Sequence, residues 1–151
     1  MEVDNFIFIK NNIKENQVLM SLDVSKNNLG IALSSVGLKL ALPKLTIVRG
    51  TFDEDLIKIK NLILKYDIFA LVVGLPLNSD GSKNKNTQAV NSFCFLLKKH
   101  ISNPIYMQDE RFSTKYITNS SFSKKKAINK AIDESSAAWF LQIFLDKLQR
   151  V

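Results

Sequence analysis

The stretch VLMSLDVSKNNLGIALSSVGLKLALPKLTIV, residues 18–48, decides the fold. Its opening, VLMSLDV (18–24), is a near-continuous apolar run of strand length. LGIALSS (29–35) and LKLALPKLTIV (38–48) follow across short polar or glycine-containing turns, which predicts a three-stranded meander. Proline cannot donate to a sheet ladder, so Pro43 assigns the third strand to an edge.

Downstream the period changes. Thr51 and Glu54 form a capping-box pattern, and Leu56, Ile59, Leu62 and Ile63 then recur at helical spacing as far as Lys65. IFALVVG (68–74) is apolar on both faces, as in a buried parallel strand. Val90, Phe93, Cys94 and Leu97 give one face of a helix from about Asn86 to Lys99, and PIYMQ (104–108) makes a fifth strand. A short helix is expected near Ser113, then the basic loop SKKKAINK (123–130). The last helix, roughly 130–148, carries Ile132, Ser136, Phe140, Phe144 and Leu148 along one stripe. Residues 1–16 read as a tail or short extra element, and 17–151 as a single domain. Three strands, then helix, strand, helix, strand, helix is the element order of an RNase H-like α/β domain. That fold is a five-stranded mixed sheet, a meander followed by parallel strands, with helices on both faces. Other α/β folds share the order.

Composition narrows the function. Of 151 residues, 46% are hydrophobic and 23% charged, the balance of a soluble globular chain. Apolar stretches fall short of the ~20 residues a membrane span needs. The amino-terminal FIFI patch is too short for a signal peptide, so a cytoplasmic location is expected. One cysteine, Cys94, excludes an internal disulfide and a thiolate zinc cluster. The net charge of +7 suits a polyanionic partner, because neutralised phosphates release counterions. The same charge also fits a basic protein that binds no nucleic acid.

Elimination leaves carboxylates as the reactive material. The single histidine, His100, falls in the last turn of a helix, where a cation is favoured in any case. There is no Cys/His ligand cluster, no GxxxxGK[ST] loop and no GxGxxG, which disfavours zinc, P-loop and dinucleotide chemistry. Asp23 ends the first strand among apolar neighbours: either it accepts N–H bonds from the turn Ser25–Asn28, or it holds a cation. Glu110 follows the fifth strand, as solvated surface or as a ligand at the carboxyl rim where open α/β sheets bind. Asp133 is expected in the first turn of the last helix, as a helix-dipole charge or as a rim residue, with small residues Ser135 to Ala138 allowing close approach to the sheet. GLPLNSDGS (74–82) is either an ordinary connection or a rim loop offering Asn78, Ser82 and backbone amides to a phosphate.

Together, LDVSKNNLGIALS (22–34), VVGLPLNSDGS (72–82), DERFST (109–114) and IDESSAAWFLQ (132–142) resemble the YqgF/RuvX family of RNase H-like nucleases. That family is described as Holliday-junction resolvases or pre-16S ribosomal RNA nucleases. The resemblance implies that Asp23, Glu110 and Asp133 are the catalytic, metal-holding set, with Mg²⁺ or Mn²⁺ as cofactor and phosphodiester hydrolysis as the reaction. Hard carboxylate oxygens suit these ions, and clustered carboxylates without metal repel one another or share a proton. Arg111 and Lys115 are candidates for gripping phosphate, and Lys124, Lys125, Lys126 and Lys130 for tracking a strand; each is equally readable as surface charge. The chain departs from the family where Ser25 replaces a usual glycine, Asn28 a usual basic residue and Ser35 a common aspartate. Expected partners are structured RNA or branched DNA, with a homodimer needed for a junction. The expected activity is endonucleolytic processing of the 5′ end of pre-16S rRNA. The alternatives are Holliday-junction resolution and a non-catalytic nucleic-acid-binding factor. An actin-like nucleotide-binding half is a further rival, for which the length leaves no room.

Overall fold

A computed structural model describes residues 2–110 and 135–150. Within these the elements are α1 (Glu2–Asn12), β1 (Val18–Val24), β2 (Asn28–Ser34), β3 (Ala41–Val48), α2 (Phe52–Tyr66), β4 (Ile68–Leu75), α3 (Lys85–Lys98), β5 (Ile105–Asp109) and α4 (Ser136–Arg150). The strands form one sheet in the order β3-β2-β1-β4-β5. β1, β2 and β3 pair antiparallel as a meander, whereas β4 runs parallel to both β1 and β5. Pro43 lies on the edge strand, where the β2–β3 register shifts beside Ala32. A missing N–H is tolerated there.

Strand residues alternate between two cores. Met20, Leu22, Ile31, Leu71 and Val73 face α2 and α3, meeting Leu56, Ile59, Val90, Phe93 and Leu97. Leu19, Ala32, Ala70 and Val72 face the other way, onto Phe6 and Ile9 of α1 and Phe140, Leu141, Phe144 and Leu145 of α4. The expected mixed sheet with helices on both faces is therefore observed. α1 is docked into that second core: Phe6 meets Phe144 edge-on with centroids 5.4 Å apart.

The helix starts follow their caps. Thr51 Oγ1 accepts the Glu54 N–H while the Glu54 carboxylate accepts the Thr51 N–H, closing the capping box expected for α2. Asn84 and Thr87 do the same for α3. α4 begins at Ser136, because Ser135 Oγ accepts the Ala138 N–H as an N-cap. Two sequence expectations change here. Ser136, assigned to the buried stripe, is exposed, and the buried face is Ala137, Ala138, Phe140, Leu141, Phe144 and Leu145. His100 lies beyond the α3 C-cap Lys99, in the following turn, rather than in the last helical turn. Asp133, Ile132, Arg111, Lys115, the helix expected near Ser113 and the basic loop 123–130 lie outside the described residues.

Candidate active site

Asp23 is the penultimate residue of β1, paired with Gly30 of β2. On its other side β4 continues one step beyond the Leu22–Val73 pair to Gly74. The carboxylate thus has a glycine on each flanking strand. A Cβ on Gly30 would lie 3.4 Å from Asp23 Cβ and 3.8 Å from Ala137 Cβ. A Cβ on Gly74 would collide with Glu110 Oε2 and with the Phe140 ring, whose Cζ would be 2.8 Å away. The vacancy above Gly74 is therefore occupied by the Glu110 carboxylate. Glu110 follows β5, and its N–H approaches the Leu75 carbonyl at 3.5 Å. Parallel β1, β4 and β5 deliver Asp23 and Glu110 to one carboxyl rim, on the face covered by α4.

The turn after Asp23 does not use that carboxylate. Ser25 N–H donates to the Asn28 carbonyl at 3.0 Å and Asn28 N–H donates to Ser25 Oγ at 3.2 Å. Among the described residues no hydrogen bond closes on Asp23. Ser25 occupies the family's glycine position without strain, since the only non-glycine residues with positive φ among those described are Leu38 and Asp67.

Burial raises the Asp23 carboxyl above its ordinary range. Glu110 is pushed up to about 7, first by burial, then by the negative charges of Asp23 and Asp109. Two mutually repelling, half-buried carboxylates are an unfavourable arrangement that a divalent cation would reverse. Both line a cleft of about 950 Å³ between the β1–β2 turn and the start of α3. A second cleft of about 480 Å³ lies on the α4 side of Asp23 and is walled by Gly30, Ser135 and Ala137. Buried Ser21 holds that wall: its Oγ donates to the Ala137 carbonyl at 2.7 Å.

The RuvX Holliday junction resolvase family matches residues 17–147. The chain belongs to the RuvX family. It is 37% identical over 138 residues to a Methylocella silvestris protein named as a candidate pre-16S rRNA nuclease, covering 89% of this chain and 86% of that one. A Rickettsia typhi protein of the same name is 36% identical, covering 89% and 88%. Thermus thermophilus RuvC, solved with a Holliday junction substrate, superposes with a TM-score of 0.57 at 9% identity over 87% of this chain and 96% of that chain. The yeast mitochondrial Holliday junction resolvase Ydc2 gives 0.53 at 10% identity over 95% and 85%. These two likenesses establish a RuvC-like, RNase H-like fold. Among the described residues of this RuvX chain no helix is long and apolar enough to cross a membrane.

The other sites expected in this RuvX chain fall differently. Asn78 and Ser82 are exposed and are not among the residues lining either cleft. Asn78 Nδ2 donates to Ser82 Oγ at 2.9 Å, and Ser82 N–H and Oγ–H both go to Asp80 Oδ1, at 2.8 and 2.6 Å. Asn84 Nδ2 donates to Asn78 Oδ1, which ties the loop to the start of α3. Gly81, at φ +91°, makes the turn that Asp80-Gly81 announced. These bonds order the loop that carries the two side chains expected to meet phosphate. The cleft wall carries three cations that sequence reading did not single out: Lys26, Arg49 and Lys85. Arg49 had no local signal, because it reaches the β1–β2 turn only through β2–β3 pairing: its N–H donates to the Asn27 carbonyl at 2.9 Å.

Two expected results follow for the RuvX site. Ser21→Ala should cost about 1 kcal/mol in urea unfolding by removing the buried hydrogen bond to the Ala137 carbonyl. For Glu110, a folded-state pKa raised from 4.5 to about 7 means that the folded protein binds the extra proton. Its contribution is therefore favourable at low pH and is lost as pH rises through about 7. Metal-free wild type should lose more melting temperature between pH 5 and pH 8 than Glu110→Gln does. Equal losses would show that this carboxyl is not the titrating group.

Proposed function

We propose that this RuvX protein is a divalent-metal-dependent endonuclease in which Asp23, Glu110 and Asp133 hold the ions, acting on the 5′ precursor of 16S ribosomal RNA. The observation that carries the reading is that Asp23 and Glu110 stand at one rim, Asp23 on the strand beside Gly74 and Glu110 over Gly74, close enough for the Asp23 charge to raise the Glu110 carboxyl. Asp133 precedes Ser135 by two residues, a reach of at most about 7 Å of extended chain. Ser135 lines the same cleft as Asp23, which supports including Asp133 in the set.

The donors fit Mg²⁺ or Mn²⁺: hard oxygens, partial burial, and glycines on both sides in place of bulk. When bound, such ions supply an activated water and charge neutralisation at the leaving oxygen. The protein's own part is to fix the carboxylates on a rigid sheet edge and to keep one side of the rim positively charged. The names carried by the Methylocella and Rickettsia relatives favour ribosomal RNA as substrate. The family description favours a four-way DNA junction as the second reading, which would require two sites and hence a dimer. The deciding experiment offers both substrates to purified protein with Mg²⁺ or Mn²⁺. Cleavage of precursor RNA at a unique position, with the junction left intact, is the expected result. Junction cleavage alone favours the second reading, and tight binding with no cleavage in either metal overturns the enzyme reading in favour of a non-catalytic binding factor.

A further inference from the structure

We propose that Arg49, with Lys85 in the wall of the same cleft, forms a subsite for a phosphate flanking the scissile one, on the α2–α3 side of Asp23. This rests on the reading of the rim as a nucleic-acid-cleaving centre.

Asp55 is the unusual feature. Its carboxylate is fully buried near the start of α2, where exposed Asp53 and Glu54 already complement the helix dipole. A buried carboxylate is costly unless it is paired and hydrogen-bonded. Asp55 Oδ2 accepts the Arg49 Nε–H at 3.4 Å, and Oδ1 accepts the Gly50 N–H at 3.0 Å. Arg49 is further fixed by Nη1 donating to the Ser25 carbonyl at 2.8 Å and by the Phe93 ring, 5.2 Å from the guanidinium carbon. The guanidinium is thus held from three directions in the wall of the cleft that contains Asp23 and Glu110, and it remains one-quarter exposed. Of its five N–H donors, two are engaged among the described residues. A pre-oriented planar fork with donors to spare matches a phosphate better than a mobile lysine does.

Among the described residues, charge is arranged asymmetrically around Asp23. Exposed Lys26 and Lys85 join Arg49 on this side, whereas the cleft on the α4 side has only Lys44 among its described lining residues. Among the described residues, the cations that could anchor a strand crossing the carboxylates therefore cluster on the α2–α3 side. A clamp serving only to tie the β1–β2 turn to α2 would need neither the exposed guanidinium nor the neighbouring lysines.

The test is the salt dependence of binding by the full chain in EDTA, where no cleavage occurs. The probes are a fluorescein-labelled RNA hairpin with a single-stranded 5′ flank and a labelled four-way DNA junction; the tighter of the two is analysed. Arg49→Gln and Lys85→Gln should each weaken binding about tenfold near 0.15 M salt, and each should reduce the slope of log K against log[salt] by about one. Arg49→Lys should keep the slope. Lys60→Gln, an exposed α2 cation outside the cleft, should change neither quantity. Wild-type slopes for folded Arg49→Gln overturn the subsite. Should that variant fail to fold, a wild-type slope for Lys85→Gln, which makes no described contact with the clamp, overturns it instead. Cleavage of the same RNA in Mg²⁺ separates the two proposals. Arg49-dependent slopes without any cleavage leave Arg49 as a nucleic-acid phosphate contact but sink the nuclease reading and, with it, the place beside a scissile phosphate; cleavage with Arg49-independent slopes does the reverse.

Discussion

Asp23→Asn should lower metal-dependent cleavage by about 10³-fold, equivalent to about 4 kcal/mol of transition-state stabilisation, while leaving the fold intact. Asparagine keeps the volume between Gly30 and Gly74 but removes the charge that a hard cation requires. Metal-free stability gives the second half of the test. The Asp23 carboxyl is half-buried, burial raises its pKa, and no described residue donates a hydrogen bond to it. Its charge is a liability in the absence of metal, so the variant should melt at or above wild type in EDTA. Removing that charge should also lower the Glu110 carboxyl from about 7, while burial, the larger cause, keeps it raised. A variant that cleaves normally and melts well below wild type would make Asp23 a structural strand-end residue.

Gly74→Ala should damage stability and chemistry together. The new β-carbon would fall within contact distance of Glu110 Oε2 and of the Phe140 ring. Phe140 is 1% exposed and locked between sheet and helix, so the ring cannot yield without repacking the core. Overpacking of this kind costs about 1–3 kcal/mol. Glu110 is only partly buried and should be the obstacle that moves, and if it acts in the chemistry a displacement of about 1 Å is worth about 10²-fold in rate. Gly30→Ala is the control: its β-carbon would make ordinary contacts with Asp23 and Ala137, so stability should change by less than about 0.5 kcal/mol. Denaturant melts and cleavage rates on both variants check the pair. Equal behaviour at the two glycines would mean that Gly74 does not hold the Glu110 position open.

Legibility in the sequence tracked how local each determinant is. Pro43 fixed the edge of the sheet, and Thr51 with Glu54 fixed the start of α2, because both act within a few residues of themselves. The stripe through Ser136 failed because Ser135 caps α4 there, and the helix turns Ala137 and Ala138 to the sheet instead. Asp23 and Glu110 were readable as carboxylates at strand ends, since parallel strands bring such positions to one rim. The glycine cradle around them was not, although a glycine inside a strand signals close approach by something. That Asn78 and Ser82 bond to each other and to Asp80 was not legible, because a loop's internal hydrogen bonds are not visible in its composition. Arg49 and Asp55 were silent for the same reason: one buried aspartate among three acids in a first turn has no sequence mark.

The most direct measurement is anomalous diffraction from crystals soaked in Mn²⁺. A manganese peak liganded jointly by the Asp23 and Glu110 carboxylates, beside the start of α4, is the predicted result. Density that places the ion elsewhere, or that engages those two side chains with protein donors and no metal at saturating Mn²⁺, would contradict a shared cation at this rim.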